Sequence, residues 1–107
     1  MFSLFQRNDA NTIHVNEIDD IIQDINLIDI REAYECAHGS IKGSRNIPMG
    51  QLLSKPDKYM DKSEKYYIMC QSGQRSSRAV AALQRAGYDV INIKGGMGSY
   101  YGKNRIK

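Results

Sequence analysis

In the stretch Cys70-Gln71-Ser72-Gly73-Gln74-Arg75-Ser76-Ser77-Arg78, one thiol, one glycine, three hydroxyls and two guanidinium groups fall within nine residues. Those residue types suit nucleophilic attack by a thiolate. The thiolate and not the thiol is the reactive form, and free cysteine titrates at about 8.5, so a reactive cysteine needs surroundings that favour its anion. Arg75 and Arg78 supply cations nearby in sequence. Gly73 lets the chain curl until successive backbone N–H groups converge on the sulfur, a concavity suited to negative charge. The competing reading is a strand-end cysteine buried as a small hydrophobe. Against it, Cys70 is followed by polar residues, a glycine and two arginines, and not by more core.

The elements around this stretch must hold the sulfur in place. Tyr66-Tyr67-Ile68-Met69, running into Cys70, reads as a buried strand, and Ser76 to Ala86 has helical spacing through Ala79, Val80, Leu83 and Ala86. Cys70 is therefore expected at the carboxyl end of a strand, facing a helix amino terminus whose unpaired N–H groups and dipole favour an anion. Upstream, Thr12-Ile13-His14-Val15 alternates as a short strand, with His14 a lone histidine of structural or surface role. Asn16 is expected to cap a short amphipathic helix through Glu17, Ile18, Ile21 and Ile22. Asn26 to Ile30 is the next strand, and Arg31 to Glu35 begins a helix. Leu52-Leu53 marks a helical turn, 56–62 a loop or brief helix, and Val90 to Ile93 a last strand after a glycine stop at Gly87. The tail 103–107 is expected to be a solvated basic end. Strands alternating with helices predict an α/β fold with a mostly parallel sheet covered on both faces. In such sheets ligands bind beyond the carboxyl ends of strands, where Asp29 and Arg31 fall together with Cys70.

Composition narrows the function classes. A chain of 107 residues fits one domain, 1–107, with 1–10 as a flexible or strapping segment. Fifteen basic against twelve acidic residues leave a net charge of +3, without the dense basic and aromatic cluster of a nucleic-acid site. The apolar opening Met1 to Phe5 gives way at once to Gln6-Arg7-Asn8-Asp9, too short for a signal or a membrane span. Two cysteines make no disulfide framework, and a reducing cytoplasm is the expected compartment. A resolving thiol is one reading of Cys36, but it stands thirty-four residues before Cys70 and reads as a half-buried helical cysteine.

The loop Cys70 to Ser76 resembles the active-site loop of the rhodanese family of sulfurtransferases. Four further residues lie between Cys70 and Arg75; the related cradle of cysteine-dependent phosphatases holds five, so the shorter ring suits a sulfur anion on the cysteine better than a tetrahedral phosphate. Leu27-Ile28-Asp29-Ile30-Arg31-Glu32 is similar to the family signature after the second strand, which lies beside the catalytic loop. The segment from Cys36 to Pro48 looks like the family's glycine-histidine-isoleucine stretch leading to asparagine-isoleucine-proline, with Ser40 in the usual histidine position and His38 two residues earlier. Gly43, Asn46, Ile47 and Pro48 match. Lys94-Gly95-Gly96-Met97-Gly98-Ser99-Tyr100 resembles the closing double-glycine motif, with Tyr100 where the family has tryptophan.

The resemblance implies a three-layer rhodanese-like fold and transfer of a sulfane sulfur from a donor such as thiosulfate to a thiophilic acceptor through a persulfide on Cys70. Gln71, Ser72, Gly73, Gln74, Arg75 and Ser76 would form the binding loop, with Asp29 and Arg31 in support. It implies neither metal nor organic cofactor. The expected partners are a small anionic sulfur donor and a thiol or cyanide acceptor, which includes a protein thiol, with no nucleic acid and no membrane. Two other classes stay open: a cysteine-dependent phosphatase or arsenate reductase, and a noncatalytic rhodanese-like binding module.

Overall fold

The computed structural model of the chain describes residues 11–107; the segment expected as flexible or strapping, 1–10, lies outside the described residues. Seven strands occur among them: β1 (Thr12–His14), β2 (Asn26–Asp29), β3 (Ser40–Ile41), β4 (Arg45–Asn46), β5 (Lys65–Met69), β6 (Asp89–Lys94) and β7 (Arg105–Ile106). Five of them make one sheet in the order β1-β6-β5-β2-β4, with every neighbouring pair parallel. The α-helices are α1 (Ala33–Cys36), α2 (Met49–Ser54), α3 (Pro56–Tyr59) and α4 (Gln74–Arg85).

The layers follow from the period of the strands. Along β5, Tyr66, Ile68 and then Cys70 belong to one core, whereas Tyr67 and Met69 belong to the other, because successive side chains point to opposite faces. The first core is closed by the buried stripe Ala79, Val80 and Leu83 of α4 and by Leu52 of α2. The second is closed by Val15 and Ile18 of a 3-10 helix at Val15–Asp20 and by Met97 of another at Met97–Ser99. The α/β architecture and the mostly parallel central sheet agree with expectation.

Strand order also locates the cleft. From β2 the chain runs outward to the edge strand β4, and from β5 it runs the other way to β6. Adjacent strands whose connections leave in opposite directions open a crevice at their carboxyl ends. Here the crevice lies between Asp29, ending β2, and Cys70, following β5; Asp29 and Met69 are register partners.

Several local expectations shift. The cap of the first 3-10 helix is His14, not Asn16. His14 Nδ1 accepts the Asn16 N–H at 3.1 Å, and the Glu17 carboxylate accepts the His14 N–H at 3.1 Å. Asn16 instead bridges distant backbone, donating to Ser99 O at 2.8 Å and accepting from Tyr101 N at 2.9 Å. Helix α4 begins two residues earlier than its apolar spacing, at Gln74, since its first turn is polar. The tail is solvent-exposed as expected and also forms a strand, Arg105–Ile106 pairing antiparallel with Ser40–Ile41. Asp19 fixes the approach to that strand, accepting from Tyr100 Oη at 2.6 Å, Lys103 N at 3.0 Å and Asn104 Nδ2 at 3.0 Å.

Candidate active site

Cys70 leaves β5 with its side chain turned toward α4 and is 0% exposed. Gly73, with φ +100°, is the residue before the first turn of α4, a conformation that favours glycine. The reversal turns backbone donors inward: Gly73 N lies 3.1 Å and Ser76 N 3.3 Å from Cys70 Sγ. Ser76 Oγ is 3.4 Å from the same sulfur and is fully buried. Burial pushes the Cys70 thiol up. The Ser76 hydroxyl and the backbone N–H groups of Ser76, Gly73 and Ser72 outweigh that, and the net result is a pKa below the ordinary thiol value.

Of the two cations expected near the sulfur, Arg75 interacts with the Cys70 charge, which adds to the rise that the Glu35 hydrogen bond gives its own pKa, but its side chain is paired elsewhere. Arg75 makes a two-pronged pair with Glu35, Nη1 to Oε1 at 2.9 Å and Nη2 to Oε2 at 2.8 Å. Its guanidinium is tied across the cleft to α1, and the pair lowers Glu35 to about 2. Arg78 is exposed on α4 and lines a cavity of about 720 Å³ that borders the loop at Ser72, Gly73 and Gln74 and is completed by Thr12, Gln84 and Lys94. The sulfur is served first by short, fixed dipoles, and the arginine acts on the loop's position.

Asp29 and Arg31 form a buried pair, 0% and 2% exposed. Arg31 donates from Nε to both carboxylate oxygens at 3.1 Å and from Nη2 to Oδ2 at 2.8 Å. The remaining donors reach outward, Nη1 to Gln71 Oε1 at 3.0 Å and Nη2 to Gly39 O at 2.8 Å. Burial works against the Arg31 charge, and the Asp29 carboxylate more than offsets it, raising the pKa. Arg31 thus grips the first loop residue after Cys70 while Glu35 grips the fifth.

Cys36 is spatially part of this network. Its thiol donates to Asp29 Oδ2 at 3.5 Å, and burial together with the Asp29 charge pushes its pKa up to about 11. Both cysteines are free thiols.

Three supports carry no site role in the sequence reading, although Asn46 and the closing glycines stand out there as motif residues. Glu35 appeared there only as a helix residue. Asn46 donates to Asp29 O at 2.9 Å and Arg31 O at 2.8 Å, holding the end of β2 open as a loop. The closing glycines pack beneath the site: Met97 N donates to Cys70 O at 2.9 Å and Gly98 N to Gln71 O at 2.8 Å. Gly96, at φ +60° and ψ −167°, leaves no room for a Cβ against the Cys70 and Gln71 carbonyls. Its signal in the sequence was the Gly95-Gly96 pair itself. Tyr100, expected only as a packing substitute for tryptophan, also hydrogen-bonds Asp19 and accepts from Asn104 N at 2.8 Å. No helix among the described residues is long and apolar enough to cross a membrane.

Comparison with known proteins gives a consistent answer. Residues 14–103 match the profile of the family described as Rhodanese-like domain. A putative sulfurtransferase of Bacillus subtilis, YtwF, is 34% identical over 85 residues, which span 79% of this chain and 82% of the relative. A protein of Allochromatium vinosum named sulfurtransferase is 37% identical over 76 residues, 70% of each chain. Among solved structures, a rhodanese-like domain protein from Staphylococcus aureus superposes with a TM-score of 0.80 at 28% identity, covering 90% of this chain and 96% of that one. With its parallel sheet, its cysteine loop at the strand end and these relatives, the chain belongs to the Rhodanese-like domain family.

Proposed function

We propose that the protein is a sulfurtransferase that carries a sulfane sulfur on Cys70. The Cys70 thiolate attacks the outer sulfur of a donor such as thiosulfate. The S–S bond of the donor breaks, sulfite leaves with the electron pair, and a cysteine persulfide anion remains. An acceptor thiolate or cyanide then attacks the terminal sulfur, and Cys70 departs as thiolate.

The observation that supports this reading most is the pair of main-chain N–H groups, from Gly73 and Ser76, aimed at one sulfur at 3.1 and 3.3 Å. Fixed donors need no reorganisation when charge develops on sulfur, and removing one such donor from an anion-stabilising ring typically costs about 10²–10³ in rate. The roles follow from placement. Cys70 is the nucleophile, and the backbone of Gln71, Ser72, Gly73, Gln74, Arg75 and Ser76 encloses the transferred sulfur. Arg75, held by Glu35, fixes the loop. Asp29 and Arg31 position Gln71. Two free thiols fit a reducing compartment, which we assign as the cytoplasm.

The test is a steady-state comparison. The wild type makes thiocyanate from thiosulfate and cyanide, Cys70→Ser makes none, and neither hydrolyses an aryl phosphate. Sustained phosphate release by the wild type with no thiocyanate contradicts this reading and favours phosphatase chemistry.

A further inference from the structure

A second cavity, of about 450 Å³, borders the loop on its Gln71 side and is lined by Arg31, Glu35, His38, Gln71, Tyr100 and Arg105, among others. Its size is within the range of small-molecule sites, about 300–1,000 Å³, and far exceeds what a thiosulfate ion needs. Its charges do not balance. Arg31 is neutralised by Asp29 at 2.8 Å and Glu35 by Arg75 at 2.8 Å. Arg105 has no carboxylate partner among the described residues; its side chain donates only to the His38 carbonyl, at the long distance of 3.4 Å.

Arg105 is nevertheless held in place. Its strand pairs with Ser40–Ile41, and the guanidinium lies against Gly39, filling the space a Cβ there would take. Gly39 is also the residue whose carbonyl accepts from Arg31. An uncompensated guanidinium, anchored at its backbone and facing a cavity that shares Gln71 with the loop, is an anion-recognising group.

Resting on the persulfide reading above, we infer that this cavity is the acceptor subsite and that Arg105 selects low-molecular-weight thiols bearing a carboxylate. The carboxylate engages Arg105 while the thiolate reaches past Gln71 to the terminal sulfur. That sulfur passes to the acceptor as a new persulfide, and Cys70 leaves as thiolate. No oxidant or reductant is consumed. Arg105 is a specificity-determining residue and takes no part in bond making.

The test uses protein first charged with thiosulfate and freed of sulfite. Intact mass checks that one sulfur has been gained. Sulfur loss is then followed with 3-mercaptopropionate, 2-mercaptoethanol and cysteamine, which differ in charge. The wild type should prefer 3-mercaptopropionate over cysteamine, and added salt should erode that preference. Arg105→Gln should raise the KM for 3-mercaptopropionate about tenfold, equivalent to about 1.4 kcal/mol of binding. The 2-mercaptoethanol rate should not change, and Arg105→Lys should retain most of the selectivity. An equal effect on all three thiols, or no effect on any, overturns the assignment of Arg105. A wild type without charge preference and without salt dependence overturns it independently of any variant. Failure to gain sulfur in the charging step overturns the persulfide reading itself, a separate result.

Discussion

Glu35 on α1 and Arg75 on α4 meet through two hydrogen bonds of 2.9 and 2.8 Å across forty residues of sequence, and this pair closes the cysteine loop against the end of β2. A charged group spent on holding the loop is a different device from a charge placed beside the sulfur. Glu35→Gln leaves the Arg75 charge without its counterion, and turnover should fall about tenfold while the fold persists. For a partly exposed pair the stability loss should be about 1 kcal/mol, read by denaturant unfolding. Its pH dependence has a definite sign. The folded carboxyl sits at about 2 against an ordinary 4.5, so the contribution is complete above 4.5 and is lost as pH falls toward 2. Wild type and Glu35→Gln should therefore converge in stability at the acid end of that window; a gap unchanged down to pH 2 would contradict it.

Ser76 lowers the Cys70 pKa with both its hydroxyl and its amide. Ser76→Ala removes only the hydroxyl, so the titration of Cys70 should move upward while the backbone N–H groups still oppose the effect of burial. The thiolate ultraviolet absorbance, taken as a difference against Cys70→Ser to cancel the tyrosines, reports this midpoint. An unmoved midpoint removes the hydroxyl from the account.

Gly96 occupies a backbone region that is essentially closed to other residues, and a Cβ there would strike the carbonyls beneath Cys70. Gly96→Ala should cost about 2–4 kcal/mol, by strain and by displacement of the loop floor. Thermal unfolding should show a large drop in Tm, and the material that does fold should transfer sulfur poorly.

Tyr100 supplies a hydroxyl that donates to Asp19 and accepts from Asn104 N. Tyr100→Phe should destabilise by about 1–2 kcal/mol, since both partners lose a hydrogen bond. It should also let the Asp19 carboxyl, held low chiefly by this hydroxyl against the opposing effect of burial, rise toward its ordinary value. Hydrogen exchange at Arg105 and Ile106 should quicken, because Asp19 and Tyr100 lead the chain into β7. Unchanged exchange there would show that β7 holds without this anchor.

Much of this arrangement was legible from local pattern. The apolar run into Cys70, the glycine after it and the helical spacing of Ala79, Val80 and Leu83 are properties of neighbouring residues, and they place the thiol at a strand end before any contact is known. Asp29 and Arg31 were legible for the same reason. Glu35 was not, because its partner is forty residues away and a glutamate in a short helix has many uses. The tail is exposed as read, but its strand was not legible, since two residues carry too little alternation to declare one and the partner Ser40–Ile41 is distant in sequence. His14 took the capping role from Asn16 because the side chain immediately before the helix has a ring nitrogen within reach of the Asn16 N–H.

The proposed transfer requires sulfur to reside on Cys70 between donor and acceptor, and intact mass measures that state directly. Wild-type protein treated with thiosulfate and desalted should gain the mass of one sulfur atom, lose it on addition of cyanide, and regain it on a second treatment, whereas Cys70→Ser should gain nothing. A wild type that never gains the sulfur, or a Cys70→Ser variant that gains and releases it like the wild type, contradicts the account.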